Sequence, residues 1–453
     1  MSSATITTSA RLMNSTPQTE EQAMVRKVAV SSFLGNFIEW FDYASYSYFA
    51  TTIALVFFPT DNHTVAMLQT FGVFALSFIL RPIGALFWGS YGDKKGRKAA
   101  LAHSIMFMSG ASFLIGCLPS YSVIGVGAPI LLLLLRMVQG FSASGEYAGA
   151  ATFLGEYAPT SKRGIYCSLI PASTAIGLLA GSTLATLMTA NMNSSAMVGW
   201  GWRVPFLLSA VLVIVGLVVR VQMEETPIFR MAQEQKKVVK SPLTEVFKKS
   251  WKEVIQATFL VAVTYTLFYT LATWSLAWGT KTVEQGGGNL GFSNQEYLLM
   301  LMIAVCVFAA FIVISCVNAD KFGRKRVIII SSCCLIAFAL LFPFLLDPAV
   351  VGQRNFATNL LFLCIGFALM GTAFGPIGAF LPELFDANVR YSGSGIGYNL
   401  AAIVGAAFVP TIATWLSHHW GVHSVGLYLG VMALCCLIAV LSCKETKNVD
   451  FTK

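Results

Sequence analysis

Charge is what this sequence has least of. Only 11% of its 453 residues are Asp, Glu, Lys or Arg, against about a quarter in an ordinary soluble domain. Long polar stretches are missing too: the one sizeable polar insert, at about 223–253, is too short for a separate sensor or catalytic domain. The ten cysteines include no C-x-x-C pair, which leaves no basis for a zinc site. They read as thiols buried in apolar segments. The Ser- and Thr-rich start, to about Met24, has no basic stretch followed by a short apolar run and a small-residue cleavage site, so no cleaved leader is expected. No nucleophile–base pair, metal-ligand spacing or phosphate loop stands out. An enzyme and a receptor are both disfavoured.

What the chain has is apolar length. Hydrophobic residues make up 56%, and the mean hydropathy is +0.70. Apolar runs fall at about 28–58, 65–89, 99–118, 128–155, 164–190, 203–222, 254–280, 296–318, 327–346, 356–381, 392–416 and 422–443. A spanning helix needs about 20 such residues, and runs of this length in lipid must be helices, because an open strand leaves its amides unpaired. The expected fold is an all-α membrane protein of twelve transmembrane helices. It divides into an N-terminal tail (1–27), a six-helix half (28–222), a central loop (223–253), a second six-helix half (254–443) and a tail (444–453).

The net charge of +9 could suggest a nucleic-acid partner, but its placement argues for a membrane. One set of loops carries Arg26, Lys27, Lys94, Lys95, Arg97, Lys98, Lys162, Arg163, Lys321, Arg324, Lys325, Arg326 and Arg390, while the opposite loops carry Lys281 and Arg354. The positive-inside rule then places both termini and the central loop in the cytoplasm. Within that loop, Ser241-Pro242 has the form of a helix start. Phe247, Trp251, Val254 and Ile255 follow at helical spacing opposite Lys248, Lys249 and Lys252, which predicts a short helix on the membrane surface.

An internal repeat is visible. Gly92-Asp93-Lys94-Lys95-Gly96-Arg97-Lys98 follows the second run, and Ala319-Asp320-Lys321-Phe322-Gly323-Arg324-Lys325 follows the eighth. The aspartates are 227 positions apart (320 − 93). Glu156, with Arg163 seven residues on, recurs as Glu383 and Arg390 at the same offset. Two motifs at one offset indicate a tandem duplication. An Asp at a helix end, a flexible Gly and an Arg fork can make charge-assisted bonds between neighbouring helix ends. Asp93, Arg97, Glu156, Arg163, Asp320, Arg324, Glu383 and Arg390 are therefore the expected cytoplasmic gate, with basic side chains as partners of the two aspartates. The second loop has Cys316 where the first has Gly89, so its latch is expected to be the weaker.

Gly89 to Lys98, with its second copy, resembles the signature loop of the major facilitator superfamily. Other strings resemble its metabolite:proton symporters, which include proline/betaine, α-ketoglutarate, shikimate and citrate carriers. They are Gly35-Asn36-Phe37-Ile38-Glu39-Trp40-Phe41-Asp42, Arg81-Pro82-Ile83-Gly84, Arg136-Met137-Val138-Gln139-Gly140-Phe141, Gly145-Glu146-Tyr147, Trp200-Gly201-Trp202-Arg203-Val204-Pro205-Phe206 and Glu224-Glu225-Thr226-Pro227. Ser144 departs from the second glycine usual in that group. The resemblance implies the major facilitator fold and proton-coupled uptake by alternating access in a bacterial inner membrane.

Charges deep in the apolar runs are functional candidates by default, since each costs at least about 2.5–3.5 kcal/mol there. Glu39, Asp42 and Glu146 are the acids, and Arg81 and Arg136 the firm bases. Glu39 and Asp42, three apart, share a helix face that Asn36 and Tyr46 extend. The resemblance to sugar:proton carriers pairs Asp42 with Arg136. Asp42, Glu39 and Glu146 are the candidate proton carriers. Arg81, Arg136, Asn36, Tyr46, Tyr265, Tyr269, Tyr398 and Asn399 are the candidate substrate contacts. The expected substrate is a small charged metabolite, a zwitterion such as proline or betaine or an organic acid such as α-ketoglutarate. Proton-driven efflux and uniport are the rival readings. No cofactor is expected beyond the proton as coupling ion, nor any nucleic-acid partner, and the carrier is expected to work as a monomer in the lipid bilayer.

Overall fold

The computed structural model describes residues 4–59, 69–70, 72–73, 76–234, 241–280, 288 and 290–451, with the side chains of 4–21, 210 and 219 left outside that description. The first part of the second expected run and Lys281 therefore lie outside the described residues. Among the described residues every regular element is a helix. Ten helices among the described residues are long and apolar enough to cross a membrane, from Arg97–Cys117 to Val422–Ser442. They correspond to the third to twelfth apolar runs. The first run forms the end of Ala4–Tyr48 and the short Ala50–Phe57, and the second contributes Arg81–Lys95.

Helix ends fall where backbone chemistry puts them. Pro82 and Pro205 stand in the first turns of Arg81–Lys95 and Val204–Val221, where their missing N–H costs nothing. Ser293 and Glu296 form a reciprocal cap on Asn294–Phe322. Gly96 and Gly323 each join two helices through a single residue at φ of 110° and 101°, a conformation that a side chain would strain. The repeated glycine thus makes the same tight link in both copies.

Several runs are broken. The fourth stops at Ala143 and restarts at Glu146, and the tenth stops at Phe374 and restarts at Ile377. The seventh and eleventh contain π-helical turns at Tyr269–Trp274 and Ile403–Ala407. Such turns widen a helix locally and are frequent at functional sites.

The central loop differs from expectation. Pro242–Lys249 is a helix, but it ends at Ser250, and Trp251–Phe268 then opens the seventh run. Trp251, Val254 and Ile255 therefore belong to the spanning helix, not to the surface one. Val254 is buried, while Trp251 and Ile255 are about half exposed on the side where lipid takes the place of water.

Glycine sets how closely the helices approach. A Cβ on Gly371 would stand 2.6 Å from the Phe308 carbonyl oxygen, and one on Gly375 would stand 2.7 Å from that of Ile312. Both obstacles are backbone. Gly110, by contrast, has nothing within 4 Å of such a Cβ. Gly371→Ala should therefore destabilise the protein by about 1–3 kcal/mol, as overpacking does, and Gly110→Ala should not. Thermal unfolding in detergent checks this, and equal midpoints for the two variants would refute the packing argument.

Candidate functional site

The intramembrane charges are buried and paired. Arg81 Nη2 lies 2.7 Å from Glu39 Oε1, and Arg136 Nη1 lies 3.2 Å from Asp42 Oδ2. Glu146 pairs with Arg220. All six side chains are at most 4% exposed. An isolated ion in such surroundings costs several kcal/mol, so each pair exists because its members neutralise one another. The Asp42–Arg136 pair is the one the resemblance implied. Arg220 went unassigned in the sequence, being near the end of its run and 74 residues from its partner (220 − 146).

The three acids are not equally satisfied. Asp42 accepts from Arg136 at 3.2 Å, from Gln139 Nε2 at 2.9 Å and from Ser112 Oγ at 3.1 Å. Glu146 takes both ends of the Arg220 guanidinium, which also donates to the Leu101 carbonyl at 2.7 Å. Among the described residues Glu39 has one hydrogen-bond partner, Arg81, and its buried Oε2 has none. The Arg81 guanidinium lies over the rings of Tyr43 and Phe78, at 4.8 and 4.7 Å.

Aromatic rings from both halves of the chain meet in this layer. Trp40 and Phe268 stand edge to face at 6.1 Å, and Phe268 stands edge to face with Tyr269 at 5.2 Å. Tyr147 stacks on Tyr398 at 4.1 Å with only 8° between the rings, and Tyr265 follows Tyr398 at 5.6 Å. The Tyr147 hydroxyl is buried without a hydrogen-bond partner among the described residues. Sequence reasoning passed over Tyr147; its position beside Glu146 was the available signal.

Other candidates hold helices together. Asn36 Nδ2 donates to the Ile170 carbonyl, Ser173 Oγ and Thr174 Oγ1 at 2.8–2.9 Å, tying the first run to the fifth. The Tyr46 hydroxyl donates to the Thr70 carbonyl at 3.0 Å, and its ring lies 4.1 Å from the Arg136 guanidinium. Asn399 Nδ2 donates to the Ser144 carbonyl at 3.0 Å, and the Tyr391 hydroxyl to the Gly145 carbonyl at 2.7 Å. Carbonyls at the break in the fourth run, Ser144 and Gly145, thus accept from the eleventh run of the other half, the Gly145 carbonyl alongside its helical bond from the Gly149 amide.

The repeated loops come together at the basic end as crossed latches. Asp93 accepts from the backbone amides of Tyr391 and Ser392, at 3.3 and 2.9 Å. Asp320 accepts from the amides of Gly164 and Ile165, both at 2.8 Å. Tyr391 and Gly164 are again 227 positions apart (391 − 164), so each half binds the other in the same way. Glu156 holds Arg97 of its own half at 3.4 Å and Arg390 of the other at 3.1 Å. Glu383 holds Arg324 at 3.2 Å and Arg163 of the other half at 3.5 Å.

Each aspartate has the expected basic partner at the neighbouring helix start, Arg97 and Arg324, and across the halves it also meets helix amides. The first amides of a helix have no intrahelical acceptor and carry its positive dipole end, so a carboxylate fits there. One expectation needs correcting: the second latch is not looser, since its bonds are at least as short as those of the first. In the first, Gly92 leaves room for the large Tyr391 and Gly89 for Ser392. In the second, Ala319 stands for Gly92 and Gly164 for Tyr391, so less room is needed there.

This architecture has known relatives. The family model described as Major Facilitator Superfamily matches residues 33–398 and 285–452. The chain belongs to the major facilitator superfamily. It is therefore a membrane transporter, from a family that is not enzymatic. It is 41% identical to the inner membrane metabolite transport protein YhjE of Escherichia coli, over 93% of this chain and 94% of that one. It is 33% identical to a proline/betaine transporter of Salmonella typhimurium, over 94% and 85%. Among solved structures, the proton:xylose symporter XylE with bound 6-bromo-6-deoxy-D-glucose superposes with a TM-score of 0.77 at 18% identity, over 95% of this chain and 98% of that one; this likeness is one of fold.

The latch geometry generates a prediction. Asp93→Asn loses a charge-assisted acceptor worth about 1.5–3 kcal/mol, enough to move a two-state equilibrium tenfold or more. Reporter cysteines facing the basic end should label faster and those facing the opposite end more slowly. Asp320→Asn should act with similar strength, since its bonds are at least as short. Labelling unchanged at both ends, in folded protein, would reduce both loops to topology signals.

Proposed function

We propose that this transporter carries a small carboxylate-bearing metabolite inward together with a proton, by alternating access across a bacterial inner membrane with its basic end in the cytoplasm. The substrate is either a zwitterion such as proline or betaine or a small organic acid such as α-ketoglutarate. Twelve spanning helices with both termini cytoplasmic complete this reading, on the strength of the apolar runs and the asymmetry of Lys and Arg.

The observation that carries the proposal is the half-satisfied Glu39. Its carboxylate and Arg81 form a neutral pair where the two halves meet. A substrate carboxylate entering there adds a negative charge that low-dielectric surroundings oppose. Protonation of Glu39 removes that conflict: the proton goes to the carboxylate, Arg81 is released, and the substrate's carboxylate takes its place. One proton then accompanies each carboxylate, and each ligand favours the binding of the other. For a zwitterion, the rings of Trp40, Phe268 and Tyr269 offer faces to the cationic group. Asp42, with three kinds of donor, and Glu146, with a two-ended arginine clamp, are better suited to holding helices together.

Uptake into proteoliposomes by a panel of labelled zwitterions and organic acids tests the reading. Accumulation should follow an inside-alkaline pH gradient, collapse with a protonophore and need no sodium. Accumulation driven by sodium, efflux against the proton gradient, or uptake that merely equilibrates would each overturn it. Glu39→Gln keeps the shape without the titrating group, so concentrative uptake should be lost while exchange of internal for external substrate persists. If Glu39→Gln accumulates substrate like the parent, the proton is carried elsewhere.

A further inference from the structure

The chain after the last spanning helix folds back under the basic end. The Glu445 carboxylate accepts from the amides of Arg324 and Lys325, at 3.0 and 3.1 Å, and so caps Arg324–Leu346. Thr446 Oγ1 donates to Glu383 at 2.6 Å. The Val449 carbonyl accepts from Arg163 Nη1 at 3.3 Å. The Phe451 carbonyl accepts from both terminal nitrogens of Arg390, at 3.2 Å each. The Phe451 ring has the guanidinium carbons of Arg163 and of Arg390 each 3.8 Å from its centre. It is 3% exposed and clusters with Ile228 and Ala387. Gly155 makes room for it, since a Cβ there would stand 3.1 Å from the ring.

These contacts join the two halves. Arg163 follows the fourth run and Arg390 the tenth, and each is also the cross-half partner of a gate glutamate. One aromatic ring touching both cations fixes their separation and shields two like charges from each other. Once the halves part at this end, the ring can keep at most one arginine, and the two backbone carbonyls lose their shared frame. A segment that binds one state better than the other shifts the population toward that state.

We propose that residues 448–451 act as a built-in ligand of the closed basic end, bolting the two halves together through a site formed by Arg163, Arg390 and Gly155, and that this segment must leave its site for that end to open. The occupant is this chain's own tail, with Phe451 as its anchor. Glu445 and Thr446 tether it to the second half, so release needs only the last few residues to move.

The test is hydrogen exchange on the reconstituted full-length carrier, which requires no substrate and so stands apart from the transport reading. Phe451→Ala, and separately deletion of the chain from Asn448 onward, should raise exchange at residues 89–98, 155–166 and 383–392 by about fivefold or more, the lower range of ordinary coupling between sites. Exchange at the opposite end should fall, because that end closes as the basic end opens. Phe451→Tyr should behave like the parent, and Phe451→Leu, with bulk but no aromatic face, should behave like Phe451→Ala. A synthetic peptide covering residues 444–453, added to the deleted carrier, should restore protection. Parent-like exchange in both the alanine and the deletion variant would overturn the proposal. So would a rise confined to the loop around Arg163, because that pattern means local fraying without opening.

Discussion

Everything in this fold follows from the rule that a charge inside a membrane must find its opposite. The described chain buries five ion-paired acids deep in the bundle or at its basic end (Glu39, Asp42, Glu146, Glu156 and Glu383), together with Asp93, and each meets at least one arginine. Helices in lipid gain little from apolar contact with one another, since the tails are as apolar as leucine. Their relative placement is set by small-residue contacts and by these pairs. Arg136–Asp42 and Arg220–Glu146 fix the first run against the fourth and the fourth against the sixth. Asn36 does the same between the first and fifth with neutral bonds. Together they make the first half a stiff unit.

Between the halves the same chemistry is arranged to be reversible. The aspartate latches use backbone amides at helix starts, which water can serve once the halves part. Opening therefore exchanges partners and orphans none. The glutamates likewise keep one arginine from their own half when the other departs, so neither carboxylate is left alone. This is what distinguishes a latch from a structural pair. Glu146 has only Arg220 to hold and would be stranded by separation, and both its contacts lie within one half.

What the sequence made legible were the features carried by local pattern: the apolar runs, the 227-residue offset, and acids too deep to be decorative. The offset located all eight gate residues, and the structure brings them to one end. It could not reveal that Asp93 and Asp320 meet amides across the halves, because amides leave no mark in a sequence. Nor could it rank the latches. Cys316 looked like damage when read alone, but the bonds of Asp320 are at least as short as those of Asp93. Arg220 was hidden by its place near the end of a run. The helix break at Ser250 went unseen because Trp251, Val254 and Ile255 continue the preceding helical spacing, and a change of axis does not interrupt periodicity. Phe451 lay in a short polar tail, where an aromatic has no partner until the chain is folded.

The middle layer and the latches are physically continuous. Tyr391 and Ser392, whose amides hold Asp93, begin the same helix that carries Tyr398 and Asn399. Seven residues of helix separate the first pair from Tyr398, about 10 Å along the axis. On its way that helix is pinned to the broken fourth run through Asn399 to Ser144 and Tyr391 to Gly145. The break lies between Arg136, in the mid-depth charge layer, and Glu156, in the gate. A substrate that displaces the ring of Tyr398 from its stack on Tyr147 therefore acts on a rigid element whose other end is the Asp93 latch. Coupling by this route needs two arrangements of one helix and no long chain of small shifts. The π-helical turns in the seventh and eleventh runs, Tyr269–Trp274 and Ile403–Ala407, follow Tyr265 and Tyr398 along their helices, the first beginning at Tyr269 in the aromatic layer. Their wider, less regular bonding is where such a helix can change its path while its latch end stays straight.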